Sequence, residues 1–126
     1  MQARQGDVLI ARVERLPANV KRIPTRGGRI ILVEGESTGH HHSVPSSGTK
    51  LLEPTDYNDA EFLKIMKAAG FTDPATSGAR FIEVTGENAE LTHQEHDAIA
   101  LPPGLYAVAR QREYTGADMA PMPVAD

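Results

Sequence analysis

The sequence predicts a mainly β protein, a compact antiparallel β-barrel or sandwich with one short helix insertion. Three observations carry this. The 11 Gly and 9 Pro fall mostly between short apolar runs, the punctuation of a chain with many short strands. Several of those runs alternate with period two. A single stretch, around residues 58–69, carries helical spacing.

Taken in order, Asp7–Glu14 (DVLIARVE) is a first strand between Gly6 and Pro17, with alternating sets Val8, Ile10, Arg12 and Leu9, Ala11, Val13. One face is expected to be drier than the other. Pro17–Arg29 reads as a basic connector, and Arg29–Glu34 (RIILVE) as a β-branched central strand. A strand with His40–Val44 follows, then the loop Pro45–Gly48 and a returning strand Thr49–Glu53. In the helix, Phe62, Ile65, Met66 and Ala69 form one stripe at i, i+3, i+4, i+7. Asn58 stands as N-cap, Glu61 as its capping-box partner and Gly70 at the left-handed C′ position. So narrow a stripe places the helix at the side or end of a sheet. Arg80–Thr85, Ala89–His93 and Asp97–Leu101 return to strand pattern. After the Pro102-Pro103-Gly104 corner, Leu105–Tyr114 sets Tyr106, Val108, Arg110, Arg112 and Tyr114 on one face. Residues 1–115 are thus expected to form one domain, and 116–126 an irregular Pro/Ala-rich tail.

At 126 residues the chain closes one core. With 40% hydrophobic and 24% charged residues it has the balance of a soluble globular protein. A net charge of −4 argues against generic nucleic-acid binding, which needs cationic surplus. The absence of Cys excludes disulfides, thiolate metal sites and cysteine nucleophiles. No apolar run has the length of a membrane span, and the N-terminus lacks the order of a signal peptide, so a cytoplasmic location is the expectation, or a virion if the protein is phage-encoded.

All five histidines lie in two segments, His40-His41-His42 and His93/His96. In a strand, His40 and His42 share a face about 6–7 Å apart and His41 takes the other. His93 and His96 converge across a tight hairpin tip or along a helical turn, and separate only in a straight strand. Gln94-Glu95 is poor chemistry for a type I′ turn, which favours a wider or helical turn. Imidazoles from His40, His42, His93 and His96, with a carboxylate from Glu95, Glu53 or Asp97, suit a divalent transition metal such as Zn, Ni, Fe or Mn. Such a site is open, and its metal acts as Lewis acid or activates a water. The competing readings are an exposed polar loop for the triplet with turn roles for the later pair, or metal-free acid–base work. Arg110, Arg112 and Tyr114 form a second constellation, with guanidinium forks beside phenols able to hold a carboxylate or phosphate. Its bland counterpart is a charged edge strand.

The segments QGDVL (Gln5–Leu9), GHHH (Gly39–His42), HQEH (His93–His96) and LPPGLYAVARQREY (Leu101–Tyr114) resemble an uncharacterised family of small bacterial and phage-encoded proteins with the pattern GHxH, HxxH and LPPGxYxVxxQREY. No activity follows from that resemblance. A weaker likeness is to the cupins, small β-barrels that hold a metal with an HxH pair, a Glu and a later His. Under it the ligands are His40, His42, Glu53 and His93 or His96; Glu53 lies farther from the HxH pair than is usual there, and the later Asn is missing. Two classes of function stand: a metal-binding domain acting as enzyme or sensor, and a structural or assembly protein, such as a phage virion or decoration component or an accessory subunit. The second implies homo-oligomers or a larger protein assembly.

Overall fold

The structure, a computed structural model, describes residues 2–24, 28–34, 41–45, 47–87, 89–94, 96–110, 113–114 and 121–122. For Ile31, Val33, Glu34 and residues 113–114 and 121–122 the description is of the backbone. The strands are β1 (Gln2–Gln5), β2 (Val8–Val13), β3 (Val20–Ile23), β4 (Arg29–Glu34), β5 (His41–Pro45), β6 (Thr49–Pro54), β7 (Arg80–Val84), β8 (Ala89–Leu91), β9 (Ile99–Leu101), β10 (Gly104–Arg110), β11 (Glu113–Tyr114) and β12 (Pro121–Met122). Helix α1 (Ala60–Ala68) sits between β6 and β7.

Six strands form one antiparallel sheet in the order β1-β2-β10-β7-β6-β3, and three two-stranded ribbons pair β4 with β5, β8 with β9 and β11 with β12. Mainly antiparallel β structure with one helix is therefore correct. Among the described residues no barrel closes, because β1 and β3 end the large sheet as edges.

Alternation along the strands assigns the two cores. Val8, Ile10, Leu51, Ile82, Val84, Tyr106 and Val108 pack with Ile30, Leu32, Val44, Ala89, Leu91 and Leu101 of the ribbons. Leu9, Ala11, Val13, Phe81, Ala107 and Ala109 pack with Phe62, Ile65 and Met66 of α1 and with Phe71 and Ala79. The central strands are thus buried on both faces; in β2 the Leu9, Ala11, Val13 face is buried throughout, while the Val8, Ile10 face ends in the exposed Arg12. The helix covers a sheet face rather than its side or end. Its stripe is narrow but bulky: Phe62 meets Phe81 edge-on at 6.0 Å and Tyr57 at 5.7 Å.

The helix starts one residue later than expected. Asp59, not Asn58, is the N-cap, with Oδ2 accepting from the Phe62 amide at 3.0 Å. Glu61 does not close a capping box; it accepts from the Ala18 amide at 2.7 Å and pairs with Arg15 at 3.1 Å. The stop is as expected. Gly70 has φ +102°, and a Cβ there would lie 2.1 Å from Gln2 Nε2, which donates to the Ala69 carbonyl at 2.6 Å.

Three strands were not foreseen: β1, β3 inside the basic connector, and β12 in the tail. Of the strand expected over 105–114, β10 covers residues 105–110, residues 111–112 lie outside the described residues, and Glu113–Tyr114 pair with Pro121–Met122. The tail expected to be irregular therefore contributes one two-residue pairing.

Tyr106 is buried and donates to the Pro102 carbonyl at 2.6 Å, bracing the Pro-Pro-Gly corner. Burial pushes its phenol above the ordinary value of about 10, with the Arg12 guanidinium opposing. A raised folded-state value means that the unfolded chain loses the proton first. Its contribution is whole below about pH 10 and falls as pH rises through the folded value. Tyr57 is raised too, by burial first and by Glu53 second, against Arg80. Tyr106→Phe is accordingly expected to cost about 0.5–1.5 kcal/mol at neutral pH and to flatten, without abolishing, the alkaline decline in urea midpoint.

Candidate functional site

The histidines meet through a register. Ser43 and Thr92 exchange backbone hydrogen bonds, Ser43 N to Thr92 O at 3.0 Å and Thr92 N to Ser43 O at 2.9 Å. In antiparallel pairing this makes 42 and 93 the next opposed pair, with both side chains on the face away from Ser43 and Thr92. One step further, the Gln94 side chain replaces a backbone partner: its Oε1 accepts from the His41 amide at 2.9 Å. Arg29 clamps the junction, donating through Nε to Ser43 Oγ at 3.0 Å and through Nη2 to Ser43 O at 3.1 Å and Thr92 Oγ1 at 2.9 Å. Opposite, β4 carries a bulge between Ile31 and Val33, which sets Val33 against His42.

The ring centroids of His42 and His93 are 4.3 Å apart with a 35° tilt, those of His93 and His96 4.7 Å with a 40° tilt, and those of His42 and His96 6.4 Å and near-parallel. His42 is fully buried and His93 nearly so. Nε2 of His96 is shielded from solvent and has no hydrogen-bond partner among the described residues. His41 faces the other way, as alternation predicts, with Nε2 at 3.4 Å from Gln94 Nε2. His40 lies outside the described residues. The wide turn over 92–98, between β8 and β9, brings His96 back to His93; it is neither a two-residue hairpin nor a straight strand.

Gln5 was not singled out by sequence, although it opens the QGDVL segment. It is 2% exposed at the end of β1. Its Nε2 donates to Leu91 O at 3.0 Å and Asp97 O at 2.8 Å, the two ends of the loop that carries His93 and His96. Its Oε1 lies 2.8 Å from His42 Nδ1. One amide thus ties three segments together, and a glutamine just before a Gly turn was the only local signal.

The carboxylates considered as further ligands are elsewhere or undescribed. Glu53 pairs with Lys21 at 3.2 Å across β3 and β6, the Asp97 side chain is exposed, and Glu95 lies outside the described residues. Among the described residues, no group of three or more His, Asp or Glu side chains stands as a ready-made metal shell. In the second constellation, Arg110 Nε pairs with the buried Asp7 carboxylate at 3.1 Å. Arg112 lies outside the described residues, and Tyr114 is described only as backbone in β11. No helix among the described residues is long and apolar enough to cross a membrane.

Fold and site define a mainly β domain whose ribbon layer encloses an imidazole cluster. The family described as Domain of unknown function (DUF8820) matches residues 4–111, and the chain belongs to it. The matched span takes in Gln5, His42, His93, His96 and Arg110 and ends before Arg112 and Tyr114. No curated protein and no solved structure matches the chain.

Proposed function

We propose that the protein is a divalent transition-metal-binding domain, with His42, His93 and His96 as the imidazole ligands. The observation that carries this is the meeting of three rings from chain segments about fifty residues apart, on one face of one junction. A metal held by imidazole nitrogen at about 2.0–2.1 Å sits about 3.2 Å from each ring centroid, so tetrahedral ligation spaces centroids by about 5 Å. The observed 4.3, 4.7 and 6.4 Å bracket that spacing. That spacing supports the reading; a shared metal would need the imidazole nitrogens turned toward one point, since the described side chains do not form a ready-made shell. All-imidazole donors without thiolate favour Zn, Ni or Co over a softer ion and leave a coordination position open.

A second reading has its own support. The near-parallel rings of His42 and His96, with no ready-made shell among the described residues, fit a metal-free polar core that pins the 92–98 turn.

Metal titration of protein purified without a nickel column, after chelator treatment, separates the two. The metal reading expects one equivalent of Zn²⁺ or Co²⁺ at micromolar affinity or tighter. It also expects a thermal shift worth about 2.7 kcal/mol at a hundredfold excess over Kd. His93→Ala and His96→Ala should each weaken binding at least about tenfold, and His41→Ala, on the opposite face, should leave it unchanged. No uptake by the wild-type chain, or equal loss in the His41 variant, overturns the metal reading.

A further inference from the structure

We infer that Gln5 is a positioning residue that fixes the tautomer of His42, making Nε2 the nitrogen that coordinates. The inference rests on the metal reading for its consequence but not for its geometry.

A primary amide has one acceptor oxygen and two N–H donors. Both donors of Gln5 face carbonyl oxygens, Leu91 O and Asp97 O. Turning the amide over would set its oxygen against those two carbonyls, so the orientation is forced. Oε1 is then the atom facing His42 Nδ1 at 2.8 Å, and the short contact requires that Nδ1 carry the proton. In the neutral ring the lone pair is on Nε2, the form in which an outer-shell partner commonly holds a metal-binding histidine. The same amide grips both ends of the turn bearing His93 and His96. It thereby sets the chemistry of one ligand and the placement of the other two. Gln5 is itself held by β1–β2 pairing, where it opposes Val8 across the Gly6-Asp7 turn. Gly6, at φ +63°, makes that reversal.

The test has two independent readouts. ¹⁵N–¹H correlation spectra of the imidazoles, recorded on metal-free wild-type protein at mildly alkaline pH, report which ring nitrogen of His42 bears the proton. Nδ1–H is expected. A His42 protonated at Nε2 overturns the inference, even where metal binds. The second readout is Co²⁺ or Zn²⁺ affinity in variants. Gln5→Leu, which removes acceptor and donors, should weaken binding about 10–100-fold. Gln5→Glu keeps an acceptor for Nδ1 but loses the donors to Leu91 O and Asp97 O. It should retain the His42 tautomer while broadening the His93 and His96 signals. Wild-type affinity in Gln5→Leu overturns the positioning role. Failure of the wild-type chain to take up metal removes the ligand reading alone, since the tautomer spectrum stands or falls by itself.

Discussion

Phe62→Ala is expected to lower the unfolding free energy by about 3–5 kcal/mol, the range for emptying an aromatic site in a packed core. Phe62 has no exposed surface and is the hinge of the helix-side core. Its ring meets Phe81 and Tyr57 at 84° and 86°, and each such edge contact adds about 0.5–1.5 kcal/mol beyond area burial. Phe81 is fixed by β7 pairing to both β6 and β10, so the sheet cannot collapse into the space left behind. For a domain of ordinary stability this is a third or more of the total, equivalent to a fall in Tm of roughly 10–25 °C. Phe62→Leu, which keeps much of the volume, should lose less than about half as much. Urea unfolding checks both. A loss under about 1 kcal/mol for Phe62→Ala would mean that α1 does not pack on the sheet as described. The histidine cluster belongs to the opposite, ribbon-covered side, so under the proposed metal reading any metal uptake by the folded fraction should survive the substitution.

That separation of layers explains what could be read from the sequence. The central strands β2, β7 and β10 announced themselves through β-branched or alternating apolar residues, which is the signal of burial; β4 did so too, but among the described residues it pairs only with β5 in a ribbon and is not the central strand expected of it. Two of the strands that escaped notice, β1 and β3, are the edges of the large sheet. They are four residues long and carry Arg4, Lys21 and Arg22, the charged composition that keeps an edge from pairing with other chains. The same property that protects them hides them. The double burial of β2 was also out of reach, because Phe62 and its neighbours come from about fifty residues downstream. Closure was invisible for a similar reason: strand pattern reports which face is dry, not whether the first and last strands of a sheet meet. For the site, clustering of the histidines in two segments indicated that they converge, and alternation put His41 on the wrong side for the cluster. The choice of His42 as the partner of His93 depends on the pairing of Ser43 with Thr92, which no local pattern encodes.

His42→Ala is expected to cost about 3–4 kcal/mol, nearly as much as Phe62→Ala, although histidine is an unusual core residue. It is fully buried, so its removal leaves a cavity, and Oε1 of Gln5 loses its donor inside the core. His96→Ala, at a half-buried position, should cost under about 1 kcal/mol. Under the proposed metal reading both should also weaken metal binding at least about tenfold without abolishing it, so stability and metal affinity are expected to part company across the cluster. A double-mutant cycle isolates the Gln5–His42 bond. His42→Leu alone should cost about 1–3 kcal/mol, largely the penalty of stranding the Gln5 oxygen. Gln5→Leu alone should cost more, about 3–5 kcal/mol, because Leu91 O and Asp97 O also lose their donor. Once Gln5 is gone, replacing His42 no longer strands an acceptor, so the pair together should fall short of the sum by about 1–2 kcal/mol. Additivity within about 0.5 kcal/mol would show that the two side chains do not share this bond. The coupling matters for the metal as well. If Gln5 acts on ligation through the His42 proton, the Gln5→Leu penalty on Zn²⁺ affinity should vanish in the His42→Leu background; if it acts only by gripping the turn, the penalty should persist there through His93 and His96.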